Sequence, residues 1–410
     1  MTKYLILFSL LFSLCACNDS DSASTSNTQN AVVDIPELLP RPEALQSALE
    51  WDKAQSGYMQ LSSKLRTEDP NAVEPRITIA KIFINEARVT GEHGHYYPAA
   101  LKLLNEALEL NASLDKNLEF DALATKASVQ LSQHEFEDAR KTAKAAIAIN
   151  PRNAQVYGAL VDANVELGRY EEAVAMADKM TSIRPDLRSY SRVAYLREIH
   201  GDVDGSIEAL QAAIKAGYPG YESTAWARLT LGELYQRYGM ADKAKDQFQR
   251  ILVERPNYPF ALAGLADLRM DNGEYDKAER LLDSAAAIIP EVGFYVQLAE
   301  IYKKGGRQEE LEAINKEIMA MLQDDVDSGH NMDMEYASYY KEILEDEDRA
   351  LKYAEKEYAK RPDNIDVNRL LAGLLIERGE ADRARKYLTK AAATESKHPE
   401  LMEYRRMVEG

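Results

Sequence analysis

A short pattern recurs along the 410 residues of this chain: a glycine, an apolar or aromatic residue two places on, and an alanine three places beyond that. It reads GRYEEA from Gly168 to Ala173, GMADKA from Gly239 to Ala244, GEYDKA from Gly273 to Ala278 and GEADRA from Gly379 to Ala384. Weaker copies place their key residue at Ala100, Ala139, Ser206, Leu311 and Ala350. A proline often stands twelve residues later, at Pro151, Pro185, Pro256, Pro290 and Pro362. A chain that returns to one pattern every 33 to 39 residues folds as a stack of like units, each burying its face on the next. Length alone suggests two or three globular domains; the repeat replaces them with one quasi-linear array.

The residues inside one copy account for its local structure. Leu231, Leu234, Tyr235 and Tyr238 follow the i, i+3, i+4, i+7 spacing of a single buried helical face. Small residues such as Gly232 and Ala244 let two helices approach near the lower end of the ~8–10 Å range of packed helix axes. The closing proline lacks an N–H and pushes the residue before it out of the α region, so the second helix stops there. Leucine, methionine and aromatic stripes at this spacing are core.

These positions resemble the tetratricopeptide repeat, a helix–turn–helix unit of about 34 residues. Leu231, Gly232, Tyr235, Ala244, Phe248 and Pro256 give the fullest copy. Partial copies hold Tyr157, Leu160, Ala173 and Pro185; Leu265, Ala278, Ala285 and Pro290; and Tyr295, Leu298 and Tyr302. The resemblance implies an all-α, right-handed superhelical solenoid of about nine helix pairs over residues 73–396. Residues 37–72, with Trp51 and Tyr58, are expected to form N-terminal capping helices, and residues 397–410 a C-terminal capping helix. From Ala100 the key positions are spaced 39, 34, 33, 38, 34, 33, 39 and 34 residues apart. Every third unit is therefore longer, by close to one turn of about 3.6 residues, and a longer helix would keep its buried face in phase.

The N-terminus carries a different signal. Residues 1–17 read MTKYLILFSLLFSLCAC: Lys3, then a largely apolar run from Tyr4 to Leu14. Such a run makes about 16 Å of helix, too short for a ~30 Å hydrocarbon core, and has the form of a secretory signal. Leu14-Cys15-Ala16-Cys17 resembles the lipobox of bacterial lipoproteins. That resemblance implies cleavage after residue 16 and lipidation of Cys17; two or more acyl chains hold a protein stably at a membrane. Residues 17–36 would then be a flexible tether, Ser/Thr/Asn-rich to about Asn30 and spanning roughly 25 Å. Acidic residues after Cys17 resemble a surface-export signal, while Asn18 stands where some systems read an inner-membrane retention Asp. The expected place is the bacterial cell envelope, on the periplasmic face or the cell surface. A secreted, non-lipidated protein is the alternative.

Composition excludes several classes. An apolar content of 45% rules out global disorder. A net charge of −18, or −19 without Lys3, argues against nucleic acid, whose phosphates need a basic face. Both cysteines lie at the processing site, leaving no thiol nucleophile beyond Cys17. Glu92-His93-Gly94-His95, expected in a loop, is the one histidine spacing a metal could use, and a metal-dependent enzyme built on His93 and His95 is the rival reading. Asp324-Asp325-Val326-Asp327-Ser328-Gly329, also expected in a loop, fails the calcium-loop template because His330 and Tyr336 stand where Gly and Glu are required. No cofactor, metal or catalytic residue is expected. By resemblance, the functional surface is the concave groove lined by first helices, including Asp162, Tyr195, Trp226, Glu233, Arg237, Phe260, Asp267, Met270 and Glu300. Aromatic anchors beside carboxylates suit a basic or neutral peptide or protein. The basic clamp for a C-terminal carboxylate is missing, since Gly158, Asp162 and Glu233 occupy its positions. The reading is a membrane-tethered interaction scaffold without catalysis of its own.

Overall fold

Among the described residues, nine left-handed turns define the helix pairs. Each needs one residue at positive φ, a conformation that costs L side chains about 1–2 kcal/mol. Glycine fills seven: Gly91, Gly168, Gly201, Gly239, Gly273, Gly306 and Gly379, with φ between 65° and 76°. His134 and Glu345 take the same conformation with a side chain attached, at 62° and 52°. The structure, a computed structural model, describes residues 33–47, 49–111 and 115–409. The signal sequence, Cys17 and most of the tether lie outside them. Met1–Asp34 separates from a compact unit that begins at Ile35, and the account below concerns that unit.

Helix α1 (Trp51–Thr67) comes first. The pairs begin with α2 (Val73–Thr90) and α3 (His93–Leu110), then α4 (Lys116–Ser132) and α5 (Phe136–Ile149), then α6 (Ala154–Glu166) and α7 (Tyr170–Ile183). Next are α8 (Leu187–Ile199) and α9 (Val203–Ala216), α10 (Glu222–Arg237) and α11 (Ala241–Glu254), and α12 (Pro259–Asp271) and α13 (Tyr275–Ile288). The last three pairs are α14 (Val292–Lys304) and α15 (Gln308–Asp327), α16 (Asp333–Glu342) and α17 (Glu347–Lys360), and α18 (Ile365–Glu377) and α19 (Ala381–Ala391). Helix α20 (Pro399–Glu409) closes the array. Among the described residues there is no strand, and no helix is long and apolar enough to cross a membrane. The signature prolines do what their chemistry requires: α5, α7, α11, α13 and α17 each end two residues before one.

Packing follows the same positions. Leu231, Leu234 and Tyr235 are buried, with Tyr238 packed beside them. Phe248 of α11 is fully buried, and a methyl added to Gly232 or Gly264 would collide with its ring. The small residues therefore fix how closely α10, α11 and α12 pack. The longer third units have no single structural counterpart. Their extra residues lengthen first helices α4 and α10, 17 and 16 residues against 13 in α6, but second helix α15, 20 residues against 14 in α7.

The N-terminal cap also departs from expectation. Pro36, Pro40 and Pro42 deny residues 35–50 a continuous helix, and only Glu43–Leu45 makes a 3-10 turn before α1. The segment is an extended strap. On one side the Tyr58 hydroxyl donates to the Pro36 carbonyl at 2.8 Å, the Leu39 N–H donates to the Tyr96 hydroxyl at 3.1 Å, and Arg41 pairs with Glu86 at 2.6 Å with both side chains 0% exposed. On the other side Asn257 donates to the Ala44 carbonyl at 3.2 Å and Arg255 meets Glu50 at 2.7 Å.

Those contacts belong to a larger seam. Turns inside the early pairs dock on connections between pairs five to six further along. The Ile365 N–H donates to the Tyr170 hydroxyl at 2.7 Å, and Arg361 forms an ion pair with Glu166, each across 195 residues. His134 Nδ1 lies 2.9 Å from the Asn331 carbonyl, 197 residues on. Gly91 faces Glu291 and Ile289, and Gly201 lies against the Glu395 carbonyl. The superhelix thus meets its own next turn, and the strap covers the connections at 217–221 and 254–258 that no earlier turn reaches.

Candidate functional site

First helices of successive pairs contact one another, α2 with α4, α4 with α6, α8 with α10 and α10 with α12, and their exposed positions are the expected groove surface. Asp162 of α6 is held by Arg192 of α8 through two bonds, 2.8 and 2.5 Å, and so presents little free charge. Tyr195 of α8 and Trp226 of α10 expose 39% and 49% of their surface, enough for both rings to act as anchors. The Tyr195 hydroxyl lies 3.5 Å from Asp366 of α18 on the next superhelical turn. Glu233 sits one turn along α10 from Thr230. Desolvation by the surrounding walls pushes its carboxyl up to about 7, against the pull of Arg237. Arg237 forms an ion pair with Glu198. Asp267 of α12 accepts from Gln236 at 2.8 Å, and burial, with the nearby Asp271, raises its carboxyl.

Three expected groove residues behave differently. Met270 is 5% exposed and belongs to the core around α12–α18, so it offers no groove surface. Phe260 is half-buried, edge-on to Phe294 at 5.5 Å, and joins two core clusters more than it lines a wall. Glu300 pairs with Lys304 one turn on, at 2.5 Å. The structure brings Arg188 and Arg88 within electrostatic reach, a neighbourhood that sequence reasoning missed. Arg188 of α8 is pushed below the usual guanidinium value by burial and by Arg88 of α2 and Arg192. No local pattern marks residues 100 apart as neighbours.

A second concavity opens at the seam, a cavity of about 320 Å³ lined by Leu131, His134, Phe136, Asp162, Glu166, Asn331, Met334, Glu335, Glu357 and Arg361. Burial pushes the Glu166 carboxyl up to about 6 although Arg361 opposes it. Glu357, itself 1% exposed, is held by Arg361 at 2.5 Å and by the Asn331 amide at 2.8 Å.

The expected pair, His93 and His95, does not converge. His93 opens α3 instead of lying in a loop, stacks on Tyr97 at 5.2 Å and meets His330 at 6.0 Å. Burial, then His330 and His134, lower its imidazole to about 4. His95 turns away, its Nε2 2.8 Å from the Glu37 carbonyl on the strap. Asp324, Asp325 and Asp327 are likewise helical, in the last turn of α15. Among the described residues no group of three or more His, Cys, Asp or Glu side chains could hold a metal ion.

Comparison with known proteins gives the following likenesses. A tetratricopeptide-repeat family model matches residues 130–198, 239–298 and 344–401. Cellulose synthase operon protein C of Pseudomonas fluorescens (strain SBW25) is 24% identical over 165 residues, 38% of this chain and 13% of that protein. The chain therefore spans about one-eighth of that curated relative. Among solved structures, the APC/C hetero-tetramer shares 13% identity at a TM-score of 0.48, over 89% of this chain and 61% of that one. A thermophilic repeat protein of Thermus thermophilus shares 23% at 0.40, over 50% of this chain and 98% of that one. PilF of Pseudomonas aeruginosa shares 16% at 0.41, over 50% and 93%. Nine left-handed turns and nine packed helix pairs among the described residues make an all-helical solenoid, and three stretches of it, residues 130–198, 239–298 and 344–401, carry tetratricopeptide repeats.

Proposed function

We propose that this protein is a membrane-tethered scaffold of the bacterial envelope that holds a basic or neutral peptide or protein segment in its groove, with no catalysis of its own. Tetratricopeptide repeats act as protein-interaction scaffolds, and the partial relative from a cellulose synthase operon is compatible with an envelope role. One observation carries the reading. Trp226 and Tyr195 present half-exposed rings on the neighbouring first helices α10 and α8, and α10 carries Glu233 on its exposed side, whose carboxyl, like that of Asp267 on α12, is raised. Aromatic anchors flanked by such groups reward an incoming cation with restored charge stabilisation and a ring face. Lipid on Cys17 would hold the groove near the membrane, with the following residues as its leash.

A photo-crosslinking residue at Trp226 in the full-length protein, in intact envelopes, should capture a reproducible partner. The same probe at Val253, 83% exposed on α11, should not. Glu233→Lys with Asp267→Lys should reduce capture at least tenfold. Equal capture at both positions, or none at Trp226, refutes groove binding. Separately, Cys17→Ser should move the protein out of the membrane fraction, and unchanged fractionation refutes the tether.

A further inference from the structure

The seam cavity has walls of two kinds. Leu131, Phe136 and Met334 make an apolar side, with His134 stacked on the Phe136 ring at 5.6 Å. Against it stand four carboxylates, Asp162, Glu166, Glu335 and Glu357. Three of them have cations within the chain. Arg192 holds Asp162 from α8, and Arg361, 4.8 Å from the Phe136 ring centroid, is shared between Glu166 and Glu357. Lys360 stands 3.7 Å from Glu357 but lies closer to Asp333, at 2.6 Å.

Glu335 of α16 is the exception. Its Oε2 is shielded from water and accepts no hydrogen bond from any described residue. Leaving a buried acceptor without a donor costs about 1–3 kcal/mol, and more for a charged one. Burial raises its carboxyl, with His134 and Arg361 opposing the rise and Glu357 adding to it. Glu166 is likewise pushed up by burial to about 6; Arg361 and His134 oppose, while Asp366 and Asp162 add. The cavity thus holds more carboxylates than cations, and one acceptor that no group of the chain satisfies. A bare metal ion needs converging ligands, and among the described residues no group of three or more could hold one. An ammonium on an alkyl stem needs one carboxylate for its head and an apolar wall for its stem, and this cavity has both.

We propose that the seam cavity binds a primary ammonium group on an alkyl stem, its head donating to Glu335 and its stem lying against Leu131, Phe136 and Met334. Space is sufficient. At the ~30 Å³ that a water-sized group occupies, a chain of six heavy atoms needs about 180 Å³, and the cavity has about 320 Å³. Charge-assisted hydrogen bonds of this type are the strong ones. The lining comes from two turns of the superhelix, α6 on one and α16 and α17 on the next, so a bound amine would also tighten the seam. The site is complete within one chain and does not rest on a partner in the groove.

Calorimetric titration of the full-length protein with n-pentylamine tests this, with 1-pentanol as the neutral stem and Nα-acetyl-lysine amide as the same head on a peptide. Pentylamine should bind once per chain, and pentanol at least tenfold more weakly. Glu335→Gln should weaken pentylamine at least about tenfold, as loss of a charge-assisted hydrogen bond requires, whereas Glu309→Gln, exposed on α15, should leave it unchanged. At pH 6 the amine should expel a proton from the raised carboxyls, read as a heat that varies with the ionisation enthalpy of the buffer; Glu335→Gln should reduce that release. Binding of acetyl-lysine amide would make a protein side chain an admissible source, and binding of pentylamine alone would point to a free amine; either upholds the site. Equal binding of pentanol, no binding of either amine, or indifference to Glu335→Gln in a variant whose circular dichroism is native overturns it. The pentanol comparison needs no variant, so a misfolded Glu335→Gln leaves the test intact, and crosslinking at Trp226 judges the groove separately.

Discussion

Arg41 and Glu86 form the most enclosed ion pair described, and removing one partner should release the strap. Both side chains are 0% exposed. Arg41 Nε and Nη2 donate to the two Glu86 oxygens at 2.9 and 2.6 Å, and Nη1 donates to the Leu45 carbonyl at 3.2 Å. The guanidinium also lies 5.3 Å from the Trp51 ring centroid. Two charges taken out of water are compensated only by such bidentate geometry. Arg41→Met leaves the Glu86 carboxylate with the Asn85 amide at 3.5 Å as its remaining side-chain neighbour, and should cost about 3–5 kcal/mol. Arg41→Met with Glu86→Leu removes both charges and should fall within about 1 kcal/mol of the parent. Because the pair pins a strap and not a repeat, the loss should appear as local opening. Hydrogen exchange is the assay: in the single variant, amides of residues 35–50 should exchange at least about a hundredfold faster, the equivalent of ~3 kcal/mol. Amides of α14–α19 should change far less, and the double variant should recover most of the protection. Equal protection in the single and double variants, or a rise spread evenly over the array, would refute the account.

Gly168→Ala should destabilise well beyond Gly239→Ala. Both pay the left-handed cost of about 1–2 kcal/mol, but a methyl at Gly168 also strikes Asp363, its Cβ at 2.7 Å, while Gly239 faces open space; urea titration of the two variants checks the difference. Glu345→Gly should raise stability by about 1 kcal/mol, because it relieves a positive φ of 52° at the loss of an exposed pair with Lys303. His93 should make the protein acid-sensitive. Its folded value, about 4, lies below the ordinary 6.5 of a histidine, so its contribution is full above pH 6.5 and is lost as pH falls toward 4. That loss amounts to about 3 kcal/mol, and His93→Phe should flatten the acid limb of a thermal melt.

The helix pairs were legible because their determinants are local. Gly273, Ala278, Ala285 and Pro290 each act within one unit, and α12–α13 form where these residues require. The seam was not legible, since Tyr170 and Ile365 are 195 residues apart and nothing near either names the other. His134 and Glu345 stand where seven other turns have glycine, and those two units were read from Ala139 and Ala350 alone; only the folded backbone shows that a side chain occupies the left-handed position. Groove positions inherited from the resemblance placed Trp226 and Glu233 on the exposed face of α10. They failed at Met270, where the next pair buries the side chain. The strap could have been anticipated from Pro36, Pro40 and Pro42, which leave no room for a helix before Trp51.

The seam also changes what the groove can do. In a straight stack each repeat touches its neighbours alone and stability is close to a sum of local terms. Here the array curls until Tyr195 faces Asp366 on the next turn, while the charges acting on the groove carboxylate Glu233 come from its own and adjacent pairs, Arg237, Asp267 and Glu198. Desolvation is the leading cause of the raised value of Glu233, about 7, and the second is its own neighbour Arg237, which pulls the other way. Near neutral pH this carboxyl is therefore about half protonated. A cationic side chain of a partner would bind its ionised form and expel the proton. Affinity for a basic partner should accordingly rise from pH 6 to pH 8, opposite in sign to binding through a histidine that must be protonated.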